Sequence, residues 1–200
     1  MQKIETIAAL EALYGEVSEA SSRKVTTALT PLYTTWIEAS RFCILSSVSE
    51  EGTDASPRGD NGPVVQVFNA KTLLMPDWRG NNRLDTLRNI VRDGRVSVMF
   101  LVPGENVVMR VNGTAFLSVD EGLRQRFEQK GKHPASVIVI DIGEVYPQCP
   151  KSLLRSGVWS RDDSDQVPSL GELLEDATKG EIDGAAFDEA FPERAQRTLW

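Results

Sequence analysis

The chain has little with which to bind a metal or to bridge itself covalently. Among its 200 residues stand one histidine, His133, and two cysteines, Cys43 and Cys149. Two thiols so far apart make neither a disulfide framework nor a zinc site. His133, in Gly131-Lys132-His133-Pro134, reads as a surface residue, so neither a metal centre nor a histidine-ligated haem is expected. No apolar run approaches the ~20 residues of a membrane span. Residues Met1 to Glu5 lack the long apolar core of a signal peptide. With 22 Lys and Arg against 29 Asp and Glu, the net charge is −7, and no basic stripe with interleaved aromatics appears. That balance argues against a nucleic-acid partner. Both GxxxxGKS/T and GxGxxG are missing. The expectation is a cytoplasmic protein with neither membrane nor nucleic acid as partner.

What is present suits one domain with helical additions, since 40% of the residues are apolar. Residues 3–14 carry Ile4, Ile7, Leu10, Leu13 and Tyr14 at helical spacing before Gly15. Thr30-Pro31 offers an N-cap and a first-turn proline for a helix with Leu32, Tyr33, Trp36 and Ile37. Strands follow. Phe42–Leu45 continues to Ser49, turns at Glu50-Glu51-Gly52 and returns along Thr53–Arg58. Asn61-Gly62 precedes Val64–Phe68, and Leu73–Met75 comes next. Val96–Val102 reads as a strand buried on both faces. Pro103–Asn106 turns it into Val107–Leu117. Asp120 caps a helix with Leu123 and Phe127, and Val137–Val145 is the last strand, broken at Tyr146-Pro147. Such close spacing favours antiparallel pairing, and about seven strands with one internal helix fit a small β-barrel.

The stretch that carries the functional reading is Leu73 to Leu87. A short strand stops at Pro76-Asp77, and after Gly80 the residues Leu84, Leu87, Ile90 and Val91 recur at helical spacing, which predicts a helix over 82–92. Asn81 or Asn82 is its expected N-cap. Arg79, Asn81, Asn82 and Arg83 thus crowd a loop entering a helix. Free N–H groups, the helix dipole and two guanidiniums there favour a phosphate. Gly80 would admit a close backbone approach.

Ser56-Pro57-Arg58-Gly59-Asp60, Thr72 through Leu87 and Met109-Arg110-Val111-Asn112-Gly113 together resemble the pyridoxamine 5′-phosphate oxidase-like family of FMN-binding split barrels. Glu144-Val145-Tyr146 with Cys149-Pro150-Lys151-Ser152 is similar to one bacterial subgroup. The resemblance implies an α+β fold: an antiparallel split β-barrel over 41–160 that binds FMN, after an N-terminal helical segment over 1–40 and before an acidic helical extension over 161–200. It also implies a homodimer with FMN in clefts at its interface. In that arrangement Ser56, Pro57 and Arg58 lie along the flavin, while Met75, Pro76 and Asp77 border the isoalloxazine and ribityl chain. Asn81, Asn82 and Arg83 hold the phosphate with help from Arg79. Arg110 faces the ring or a neighbouring subunit, and Lys151 and Ser152 approach a cofactor edge, from the same subunit or the other. Either Lys151 or Arg58 is a candidate cation for the N1–C2 edge. FMN would carry the redox chemistry, acting on a small-molecule substrate with NADH or NADPH as candidate electron donor, and no catalytic side chain is assigned. The Arg-x-His element of the true oxidases is missing, since acidic residues follow Trp159-Ser160-Arg161, so oxidation of vitamin B6 is not expected. The alternatives are a flavin carrier or sensor without turnover, and a split barrel holding another ligand such as a deazaflavin.

Overall fold

A computed structural model describes all 200 residues. Seven antiparallel strands form one sheet in the order β2-β1-β5-β6-β7-β4-β3. They are β1 (Phe42–Ser49), β2 (Gly52–Gly59), β3 (Gln66–Asn69), β4 (Thr72–Asp77), β5 (Arg95–Leu101), β6 (Val108–Ser118) and β7 (Ser136–Gln148). The helices are α1 (Ile7–Glu11), α2 (Glu19–Arg23), α3 (Pro31–Glu38), α4 (Asp85–Arg92), α5 (Glu121–Arg124), α6 (Lys151–Ser156), α7 (Leu170–Ala177) and α8 (Gly184–Thr198). The sheet curls into a split barrel whose two edge strands, β2 and β3, are not hydrogen-bonded to each other. None of the helices is long and apolar enough to cross a membrane.

Alternation along the strands builds the core. Cys43 and Leu45 of β1, Val96, Val98 and Phe100 of β5, and Met109 and Val111 of β6 point inward with Ile138, Ile140 and Val145 of β7. The chain bends where β6 meets β7. Their register slips between Asn112 and Gly113, and a Cβ on Gly113 would collide with the Asp141 carbonyl oxygen. Only glycine permits that approach, and the bulge tightens the local twist. α3 begins as its sequence requires: Thr30 accepts the Tyr33 N–H and Pro31 occupies the first turn. It sets Ile37 into the core, with Tyr33 and Trp36 packed alongside.

Four expectations need correction. The first helix is five residues, Ile7–Glu11, because nothing in it is buried and propensity alone sustains little helix. β5 is not buried on both faces; Ser97, Met99 and Leu101 form a half-buried outer side. β7 does not break at Tyr146 but pairs through Gln148. Pro147 shares the parity of Val145, whose N–H points away from β6 to Thr26, and no strand lies on that side, so the missing N–H costs no ladder bond. The fourth correction concerns the start of α4. Neither asparagine caps it; Leu84 holds the N-cap position without a side-chain bond.

Candidate functional site

A cleft of about 780 Å³ opens where β2 ends and the loop after β4 begins. Pro57, Arg58, Met75 and Pro76 are among its walls, with Val64 beside them, and Arg41, Arg79 and Lys130 stand at its rim. Pro76 lies beyond the last β3–β4 pairing, Gln66 with Leu74, so β4 tolerates it there as a local edge. The barrel's open seam and this cleft therefore coincide.

Charge is arranged unequally around it. Arg58 Nη1 donates to Asp77 Oδ1 at 2.6 Å, an ion pair from β2 to β4 with side chains only 20% and 15% exposed. Arg58 Nε is buried without any hydrogen-bond partner. Asp60 is fully engaged: it accepts from Trp78 Nε1 at 2.7 Å, from Gln129 Nε2 at 3.0 Å and from the Asn61 N–H at 2.6 Å. Arg41, Arg79 and Lys130 make no ion pair and no side-chain hydrogen bond, so positive charge is left over. Lys130 and Gly131 have φ of 53° and 74° in the tight turn closed by Gln129 and Lys132. Two left-handed residues in succession give the turn of a hairpin and bring the lysine to the rim.

The phosphate loop differs in detail from its expected form. Gly80 has an ordinary φ, and a Cβ placed on it would meet no atom within 4 Å, so it is not the residue the turn demands. Asn82 is, with φ of 60°, a conformation asparagine adopts more readily than most residues. Asn81 Oδ1 accepts the Arg83 N–H at 3.0 Å, which tightens the loop instead of capping α4. Arg83 is exposed and turned to Asp85 at 2.5 Å. The first-turn amides of α4 have no side-chain cap, which leaves them for an anion.

Ser56 points inside the barrel, where its hydroxyl donates to Asp54 Oδ2 at 2.9 Å and Thr86 of α4 bonds the same carboxylate. Sequence reading missed this knot, and also Ser47, Ser49 and Asn89, which are buried together: Ser49 donates to Asn89 Oδ1 at 2.7 Å. Polar residues at inward positions of a strand were the available signal. Burial pushes the neighbouring Cys43 thiol up to about 12, against the opposing pull of Arg58.

Arg110, Lys151 and Ser152 do not line the cleft. Arg110 pairs in register with Tyr146 near the Gln148 end of β7, while Asp77 pairs with Ser136 at the other end. In the sheet Arg110 shares a row with Met99, Ile44 and the cleft residue Pro57, three strand spacings or about 14 Å away at ~4.8 Å each. Lys151 and Ser152 begin α6, exposed, beyond Gln148. The chain thus gathers Pro57, Arg58, Met75, Pro76, Asp77 and Arg79 at the cleft, with Asn81, Asn82 and Arg83 next along the chain, and leaves Ser56, Arg110, Lys151 and Ser152 out of its lining.

A sequence profile of the family described as pyridoxamine 5′-phosphate oxidase matches residues 29–149. Among solved structures, HupZ of group A Streptococcus is 16% identical, covering 60% of this chain and 93% of its own at a TM-score of 0.50. A candidate pyridoxamine 5′-phosphate oxidase of Lactobacillus delbrueckii is 20% identical over 60% of this chain and 95% of its own, with a TM-score of 0.49. An FMN-binding protein of Syntrophomonas wolfei is 16% identical over 58% and 83%, at 0.44. Such identities speak to fold alone. No curated protein sequence matches the chain.

Proposed function

Because the chain belongs to the pyridoxamine 5′-phosphate oxidase family over residues 29–149, we propose that its cleft binds FMN and that it is an FMN-dependent oxidoreductase of a small molecule. The observation that carries this reading is the unpartnered, buried Nε of Arg58 in a cleft that also holds the unpaired cations Arg41, Arg79 and Lys130. A buried donor without a partner is costly, and a flavin's polar edge would satisfy it. Pro57 and Pro76, backed by the buried Met75 and Val64, offer apolar surface for a ring system. Arg79 and the loop through Asn81, Asn82 and Arg83, next to the uncapped start of α4, suit a phosphate. The donor set therefore fits the cofactor.

When bound, FMN supplies hydride transfer through N5. The protein binds and orients it: Arg58 holds positive charge at the ring, fixed in place by Asp77, and the rim cations keep the phosphate end. We place Lys151 and Ser152 at a cofactor through a second subunit, since they do not line this cleft within one chain. Homodimerisation is part of the proposal for that reason. The exposed apolar residues Phe42, Leu154 and Val158 support it, being costly to leave in water.

Titration with FMN, followed by anaerobic mixing with NADH or NADPH, tests the reading. Wild type should bind and turn yellow, and Arg83→Ala should bind tenfold or more weakly. Bleaching by a nicotinamide at a useful rate marks a reductase. Binding without bleaching by any donor favours a carrier, and a protein that refuses FMN sinks the proposal.

A further inference from the structure

Leu199 and Trp200 lie outside the segment matched to the family, yet both line the cleft. The Trp200 ring meets Trp78 edge to face, with centroids 5.4 Å apart and planes at 80°. Its backbone carbonyl accepts 2.7 Å from Lys132 Nζ. Trp78 is itself anchored, because its indole N–H goes to Asp60, which also holds Gln129 of the turn that carries Lys132. The end of β2, the loop after β4, the 129–132 turn and Leu199-Trp200 thus close around one opening.

The acidic extension explains how Trp200 arrives there. α7 and α8 cross so closely that a Cβ on Gly171 would collide with the Gly184 carbonyl oxygen, and one on Gly184 would lie 2.6 Å from that of Gly171. Each glycine N–H is also bonded across the pair, Gly171 to Asp188 Oδ1 at 2.8 Å and Gly184 to Glu175 Oε2 at 3.3 Å. A capping box of Ser169 and Glu172 starts α7. Backbones in contact with both amides bonded make a stiff arm. Its second helix, 15 residues long, spans about 22 Å at ~1.5 Å per residue and delivers Trp200 two residues after its last turn.

The cleft volume of about 780 Å³ is what remains with Leu199 and Trp200 in place. That is within the ~300–1,000 Å³ range of ligand sites. The two residues are therefore a wall and not a filling. We propose that Trp200 is a ligand-site residue, a lid held by Trp78 and Lys132 that closes over the planar ring system in the cleft and slows its escape. The inference rests on the flavin reading for the identity of the ring. Aromatic faces and edges favour such contact, and an indole near a flavin quenches its emission.

The full-length chain, Trp200→Ala and Trp200→Phe should be loaded with FMN and compared. Release after dilution should be tenfold or more faster in Trp200→Ala, with brighter flavin emission that iodide quenches more readily, and Trp200→Phe should lie between. Equal release and equal iodide access in wild type and Trp200→Ala would overturn the lid. The aromatic contact is checked without ligand by near-ultraviolet circular dichroism. Trp200→Ala and Trp78→Phe should abolish one shared tryptophan signal while leaving the thermal midpoint in place, and separate, additive losses would overturn the contact. A wild type that binds no FMN removes the flavin lid together with the flavin reading, and dichroism still decides whether the lid contact exists.

Discussion

Two groups of cations on the barrel are treated differently. At the cleft, Arg58 keeps a nitrogen unpartnered, and Arg41, Arg79 and Lys130 have no counter-ion. Outside the cleft, Arg110 lies over the Tyr146 ring at 5.4 Å, with Lys24 Nζ 5.9 Å from the same ring. Beside it Asn112 accepts from Ser97 at 2.7 Å and donates to Glu144 at 2.7 Å. Arg110 and Lys24 also make no ion pair and no side-chain hydrogen bond, but an aromatic face occupies them. The cations of the cleft face an opening instead. Residue type alone does not separate the two, whereas surroundings do.

The contrast breaks most visibly at Arg58. Arg58→Ala leaves Asp77 largely buried without its counter-charge, which should cost about 3 kcal/mol and abolish FMN binding. Urea unfolding and flavin titration read the two effects. The double variant with Asp77→Ala should regain most of the stability but none of the binding, and an Arg58→Ala protein as stable as wild type would show that water reaches the pair.

The second group is sharpened by Lys151→Ala. If a second subunit carries Lys151 to the cleft, FMN affinity should fall several-fold, and only where sedimentation shows a dimer. A flavin-loaded monomer unaffected by the change would make the cleft of one chain self-sufficient.

The smallest effect concerns Cys43, the thiol beside Arg58. Its ordinary value is 9.0 and the folded protein raises it to about 12. Between those values the unfolded chain loses a proton that the folded one keeps. Stability should thus be full below pH 9 and decline as pH rises toward 12. Cys43→Val should flatten that decline in urea midpoints measured at about pH 8 and about pH 10. An identical slope in both proteins would put the alkaline loss elsewhere.

Much of the barrel was legible because local chemistry announced it. Glu50-Glu51-Gly52 and Pro103–Asn106 mark turns, and each lies between two strands that pair antiparallel. Thr30-Pro31 and Asp120 start helices by side-chain bonds to nearby amides. The order of strands in the sheet left no such trace, since β1 pairs with β5 across forty-odd residues of intervening chain. The Trp78–Trp200 contact was hidden for the same reason. Asn81 misled because an asparagine before a helix can tighten the preceding loop as well as cap the helix, and one hydrogen bond decides between them.

The seam between β2 and β3 has one more consequence. Everywhere else around the cylinder, separating two neighbouring strands means breaking a ladder of amide bonds; here it means parting side chains, Arg58 from Asp77 and Trp78 from Asp60 among them. Thermal breathing should concentrate along that line, with amides of Gly52–Gly59 and Gln66–Asn69 exchanging with deuterium well before those of β5 and β6. Whatever enters the opening gains the chance to stitch it, so a tightly held guest would slow exchange at both lips while leaving the opposite wall unchanged.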